Sequence, residues 1–160
     1  LKKFVSTHED GLGLMTPVKE YGSNFSAGQR QMLCLARALL RETKIVCLDE
    51  ATASVDNESD LMMQKVISQE FKDKTVMTIA HRINTIIESN KVLCMASGKV
   101  LSYDTPSKLL EDSSSIFAQL VLETGEASAK NLKQRADAAE AARARNTRDI
   151  ERTHLDSHIC

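Results

Sequence analysis

No apolar run in these 160 residues approaches the length needed to cross a membrane. The richest, Met32 to Leu40, is short and contains Arg37. An excess of one charge sign is also missing. Lys and Arg total 21 against 22 Asp and Glu, so nothing global points to nucleic acid or to an acidic membrane surface. No secretory signal precedes Leu1, and a first residue other than methionine reads as an internal cut. The four cysteines, Cys34, Cys47, Cys94 and Cys160, have no C-x-x-C spacing and no neighbouring histidine pattern suited to zinc. Three lie in apolar segments, where a reduced cysteine acts as a small hydrophobe, and a reducing, cytosolic setting is expected. A phosphate-binding loop is absent too. G-x-x-x-x-G-K is required, and the Gly98-Lys99 pair has Leu93 where the first glycine belongs. What remains is a chain long enough, and apolar enough, for one core.

The most informative stretch runs from Ile45 to Asp56, Ile-Val-Cys-Leu-Asp-Glu-Ala-Thr-Ala-Ser-Val-Asp. Ile45 to Leu48 predicts a short strand buried on both faces. Asp49 and Glu50 then fall at its C-terminal edge, where open α/β sheets bind ligands. A carboxylate pair there suits magnesium and water chemistry on a nucleotide phosphate. A strand that simply ends in two solvated acids would read the same way in isolation.

Upstream, Phe25 to Leu40 reads Phe-Ser-Ala-Gly-Gln-Arg-Gln-Met-Leu-Cys-Leu-Ala-Arg-Ala-Leu-Leu. Ser26 followed by Gln29 is a capping-box pattern, and Met32, Ala36, Leu39 and Leu40 recur at helical spacing, so a helix is expected to start at Ser26. Its N-terminus offers unpaired backbone N–H groups, a hydroxyl and a glycine that permits close approach, the makings of an anion site. A plain capped core helix needs the same residues.

Leu1 to Val5 resembles the end of a helix, His8 to Leu14 a glycine-bearing turn, and Thr16-Pro17-Val18 an extended segment. Downstream, Asn57 to Phe71 has a mixed amphipathic helical pattern. Thr75 to Ala80 is a β-branched strand that delivers His81 to the same kind of edge as Glu50, where an imidazole can bond a phosphate oxygen. Lys91 to Met95 and Lys99 to Tyr103 flank Ala96-Ser97-Gly98 as a hairpin. Thr105-Pro106 opens a helix, and another is expected from about Ser115 to Glu123. Beyond Gly125 the chain is rich in Ala, Arg, Lys, Asp and Glu with little apolar periodicity, which predicts a solvated helix or a disordered tail. Its arginines, Arg143 and Arg145 among them, are candidates for contact with lipid headgroups or another protein.

In order, these segments resemble the nucleotide-binding domain of ABC transporters over roughly Leu1 to Gly125. Phe25 to Gln29 resembles the signature loop, Ile45 to Glu50 Walker B, Ala53 to Asp56 the D-loop and His81 the switch histidine. Thr16-Pro17-Val18, Gln31 to Arg37 and Ala51 to Asp56 are similar to the multidrug-resistance-associated, or C, subfamily. Glu50 favours its second nucleotide-binding domain, since the first often carries aspartate there. The resemblance implies an α/β fold: a partial P-loop NTPase domain over 1–125 with a parallel core sheet and a signature helix from the helical subdomain, then a polar tail over 126–160.

By the same resemblance, Asp49 holds Mg2+ through water, Glu50 is the general base and His81 binds the γ-phosphate. Ser26, Gly28 and Gln29, with the methyl of Ala27 beside the phosphate, close over ATP held by the first nucleotide-binding domain of the same transporter. Asp56 couples the two nucleotide sites. The implied output is a conformational change in transmembrane domains that export organic anions or conjugates, with this domain on the cytoplasmic side and no nucleic acid partner. Departures are Phe25 in place of leucine, Ala27 in place of glycine and an unexplained Tyr21. Without a phosphate loop, an adenine-stacking aromatic or a glutamine loop, the chain alone is expected to bind ATP poorly and hydrolyse none. Two alternatives stand beside this reading: a soluble ABC-type ATPase of DNA repair or translation, and a short non-catalytic protein that docks on a transporter through Ser26 to Leu40 and its tail.

Overall fold

The computed structural model describes residues 5–6 and 11–156. The parts of the expected helix end and glycine turn that fall on 1–4 and 7–10, and Cys160, lie outside that range. The chain divides into two compact units, Leu1–His81 and Arg82–Cys160.

In the first unit, helix α1 (Ala27–Leu39), strand β1 (Ile45–Asp49), helix α2 (Asn57–Glu70) and strand β2 (Thr75–Ile79) follow one another. The two strands pair in parallel, with Ile45 opposite Thr75 and Asp49 opposite Ile79. Parallel neighbours need a crossover connection, and α2 is that crossover. The mixed α/β class with a parallel sheet is therefore as expected. Leu35, Val46, Leu48, Val55, Met63 and Phe71 form the core.

Burial of β1 on both faces is not observed. Val46 and Leu48 point inward, but Ile45 is 63% exposed and Cys47 is exposed as well. Met77 and Ile79 on β2 are likewise exposed. Among the described residues the sheet has two strands, and helices α1 and α2 supply partners for one face only. Two smaller expectations also change. Leu40 caps the end of α1 and is exposed, so the helix buries Leu35, with Met32, Ala38 and Leu39 half-covered beside it. Cys34 is exposed as a free thiol and does not pack as a small hydrophobe.

The second unit holds a one-turn helix α3 (Ile83–Ile86), strands β3 (Val92–Ala96) and β4 (Lys99–Asp104), and helices α4 (Pro106–Glu111), α5 (Ile116–Leu122) and α6 (Glu126–Asp156). β3 and β4 pair antiparallel across Ser97 and Gly98, whose φ values of 49° and 73° are those of a mirror-image turn matched to strand twist. Thr105 and Ser115 cap α4 and α5 by accepting the N–H groups of Lys108 and Ala118, and Pro106 starts α4. The core gathers Ile87, Val92, Leu109, Phe117 and Val121.

The segment after Gly125 is helical, one of the two expected forms, but α6 is packed and not simply solvated. Ala129, Leu132 and Ala136 are buried in that same core. Their spacing of three and four residues places them on one face. Polar contacts reinforce the stripe: Ser107 Oγ bonds Asp137 Oδ1, and Thr105 Oγ1 donates to Glu140 Oε2 at 3.3 Å. Arg143 is turned inward, donating to the Glu88 carbonyl at 2.8 Å, and Arg145 donates to Ala141 of its own helix at 3.3 Å. No described helix is long and apolar enough to cross a membrane.

Candidate functional site

The parallel register fixes the first group of residues. With Asp49 opposite Ile79, both strands end at the same edge. The Glu50 N–H donates to the Ile79 carbonyl at 2.9 Å and carries the ladder one residue beyond β1. There the backbone of Glu50 turns into the left-handed region, φ 46°, which a non-glycine residue adopts only at a cost of about 1–2 kcal/mol. The turn is held because the Glu50 carbonyl accepts the Ala53 N–H at 3.0 Å and Gln31 Nε2 at 3.4 Å. Glu50 Oε1 lies 2.7 Å from His81 Nε2. The imidazole is 85% exposed and the carboxylate 43%, so both are open to a ligand. The two residues expected at this edge are therefore in direct contact.

Asp49 belongs to the outward face of β1, alternating with buried Leu48. Among the described residues no group of three or more His, Cys, Asp or Glu side chains is arranged to hold a metal ion. The donor set at the edge is the adjacent pair Asp49 and Glu50. That set fits magnesium, which takes one or two carboxylates and completes its shell with water and phosphate oxygens.

The second group lies at the start of α1. Ser26 Oγ accepts the Gln29 N–H at 3.2 Å and Gln29 Oε1 accepts the Ser26 N–H at 2.7 Å, the expected reciprocal cap. Gly28 has a steric reason to be glycine. A β-carbon there would stand 2.9 Å from Val55 Cγ1 and 3.3 Å from the Ser54 carbonyl, so the bare backbone lets the 54–56 loop lie against the helix. Ser26, Ala27, Gly28 and Gln29 thereby share a cleft of about 290 Å³ with Met32, Ser54, Val55, Asp56 and Ser59. Asp56 also caps α2, with Oδ2 accepting the Ser59 N–H at 3.0 Å. That bond, and a second from the Ser59 hydroxyl, hold its carboxyl below the ordinary carboxylate value.

Sequence reading missed the residues that join these groups. Gln31 reaches from α1 to the turn at Glu50, so one helix carries the cleft at its first turn and braces the carboxylate edge from its second. Arg30 Nη1 donates to the carbonyls of Phe25 at 2.7 Å and Gly22 at 3.3 Å, clasping the loop that precedes Ser26. Asn24 receives the Lys19 N–H and donates to the Pro17 carbonyl. Long polar side chains on a helix look like a solvated face in a one-dimensional pattern, and no motif marks their reach. Tyr21 has no structural explanation: its φ of 55° lies in the left-handed region, which a bulky side chain disfavours.

Residues 2–53 match the family model described as ABC transporter. Among curated relatives, a rice (Oryza sativa subsp. indica) protein named ABC transporter C family member 13 is 58% identical over 110 residues, 69% of this chain and 7% of that protein. Bile pigment transporter 1 of Saccharomyces cerevisiae is 54% identical over 118 residues, 72% of this chain and 8% of its own length. A Schizosaccharomyces pombe protein named vacuolar heme ABC transmembrane exporter abc3 is 50% identical over 125 residues, 78% of this chain and again 8% of the relative. The chain thus spans less than a tenth of each of these three proteins.

Proposed function

The chain belongs to the ABC transporter family, with C-family members among its relatives, and from that premise we propose that it supplies one face of an ATP-hydrolysing site that drives export. The observation that carries this reading is the 2.7 Å contact between Glu50 and His81 at the shared end of two parallel strands. Residues 1–125 are read as the C-terminal part of a nucleotide-binding domain, the second in its transporter, and 126–160 as an appended segment.

In this reading Glu50 takes the proton of a water molecule that attacks the γ-phosphorus. The bond from that phosphorus to the bridging oxygen breaks, leaving ADP and inorganic phosphate. A carboxylate within reach of the water is the minimum requirement for such a base. His81, 2.7 Å from Glu50, can redirect Nε2–H to a γ-phosphate oxygen as charge develops there. Asp49 would hold magnesium, which supplies charge neutralisation to the phosphates when bound. Ser26, Ala27, Gly28 and Gln29 present the N-terminus of α1, with its partial positive charge, to ATP carried by the first nucleotide-binding domain. Asp56, which lines the same cleft, would report occupancy of one site to the other.

Transmembrane domains are the mechanical partners, and the domain itself faces the cytoplasm. Relatives named for bile pigment and for heme support an organic cargo, of the anion or conjugate class. The test is ATP hydrolysis by the complete transporter carrying His81→Ala. Loss of about a hundredfold or more in kcat is expected for a group that stabilises the transferring phosphate. A rate within twofold of the unaltered protein contradicts the assignment.

A further inference from the structure

Gln31 lies on the second turn of α1 and is half-buried. Its Nε2 donates to the Glu50 carbonyl at 3.4 Å, while its Oε1 is buried and has no partner among the described residues. An unpaired buried acceptor is a cost to the fold. A methionine of similar length would fill the same space without that cost. Packing therefore does not account for a glutamine at this place, and the bond to Glu50 does.

Glu50 needs support from outside its own turn. Its φ of 46° is unfavourable for a residue that carries a side chain. The Glu50 N–H donates to the Ile79 carbonyl at 2.9 Å and its carbonyl accepts the Ala53 N–H at 3.0 Å. The first bond continues the ladder, and the second is internal to a turn whose residues can move together. The contact of its carboxylate with His81 is an exposed pair, too weak by itself to fix a side chain. Gln31 supplies the bond that ties the first residue of the turn to a helix. Farther along, Gly28 lets Ser54 and Val55 lie against the first turn of that helix. The segment from Glu50 to Val55 is thus held on α1 at both ends, and every group in this arrangement belongs to the Leu1–His81 unit.

We propose that Gln31 is a positioning residue for Glu50, holding the strained backbone from which the carboxylate is aimed at the attacking water. This rests on the ATPase reading above. A neutral hydrogen bond is of the same order as the cost of the left-handed conformation, so its loss is enough to let the backbone of Glu50 relax. Relaxation swings the carboxylate, and misplacing a catalytic group by about 1 Å costs about a hundredfold in rate. Nucleotide affinity is drawn from other residues and stays as it was. The Glu50 carbonyl keeps the Ala53 N–H, so removing the amide of Gln31 leaves no new unpaired group.

The experiment is steady-state ATP hydrolysis and thermal unfolding of the complete transporter with Gln31→Met and Gln31→Asn, beside Glu50→Gln as control. Gln31→Met keeps the shape and has no donor, and Gln31→Asn keeps the amide on a stem too short to reach. Both are expected to lower kcat about tenfold or more while KM for ATP stays within about twofold. In Gln31→Met the unfolding midpoint should be no lower than the parent's, because the unpaired Oε1 leaves with the amide. A fall in kcat without a fall in stability is a result that a merely structural glutamine would not give. Unchanged kcat in Gln31→Met overturns the proposal. So does a loss of kcat that comes with a lowered midpoint, or one shared equally between kcat and KM. Should Gln31→Met not accumulate, kcat and KM of Gln31→Asn decide by the same limits. If Glu50→Gln keeps full activity, it is the ATPase reading that fails, and the two failures are told apart.

Discussion

The two units differ in where their backbones depart from local preference. Among the described residues of Leu1–His81, the non-glycine residues at positive φ are Tyr21 and Glu50, one in the loop before α1 and the other at the carboxylate edge. In Arg82–Cys160 the described counterpart is Ser97, at a hairpin turn that calls for that conformation. The first unit is held in unfavourable conformations by long side chains, Gln31 at Glu50 and Arg30 around Gly22 and Phe25. The second closes its core with helices around Ile87, Phe117 and Leu132. Strain in the first unit collects at Glu50, beside the residues proposed above to carry chemistry.

The comparison can be broken most severely in the second unit. Phe117 is 1% exposed, and Phe117→Ala should cost about 3–5 kcal/mol, read as a large drop in unfolding midpoint. A loss under about 1 kcal/mol would mean that α6 does not close a true core. In the first unit Gly28→Ala should cost about 1–3 kcal/mol, because the new methyl meets Val55 and the Ser54 carbonyl. Neutrality there would show that the 54–56 loop can move away freely. Ser115→Ala removes a cap and a bond to the Leu109 carbonyl and should cost about 1 kcal/mol.

Tyr21→Gly gives the smallest change and the opposite sign. Relief of the left-handed strain, about 1–2 kcal/mol, is offset by the entropy that glycine adds to the unfolded chain. A net gain of about 0.5 kcal/mol should remain, and a loss would place a packing role on the exposed tyrosine.

Acid sharpens the contrast further. Asp56 has its carboxyl lowered by the Ser59 N–H and hydroxyl, so its contribution is fully present above the ordinary value of 3.8 and is lost as pH falls through the lower folded value. Asp56→Asn keeps a capping oxygen without the titration. Its stability should lose less than the parent's below that pH, and parallel acid profiles would remove Asp56 as a titrating cap.

Much of the fold was legible where a local residue choice dictates a local structure. Ser26 with Gln29, Thr105 with Pro106, and Ser115 each marked a helix start that is observed. The apolar run before Asp49 and the β-branched run before His81 marked strands whose common edge brings Glu50 to the histidine. What stayed hidden depends on distance in space. Whether a strand is covered on one face or two is decided by the layers around it, so Ile45 was misjudged. The stripe on α6 is built from two alanines and one leucine, too weakly apolar to stand out among Arg, Lys and Glu. The reach of Arg30 and Gln31 leaves no trace in periodicity.

The most direct test of the account is ATP turnover and nucleotide retention by the complete transporter with Glu50→Gln. The amide keeps the shape of the side chain and removes its basicity, so turnover should fall by about a hundredfold or more while ATP stays bound. Hydrolysis at the unaltered rate would contradict the central claim that Glu50, at the edge it shares with His81, is the base of the reaction.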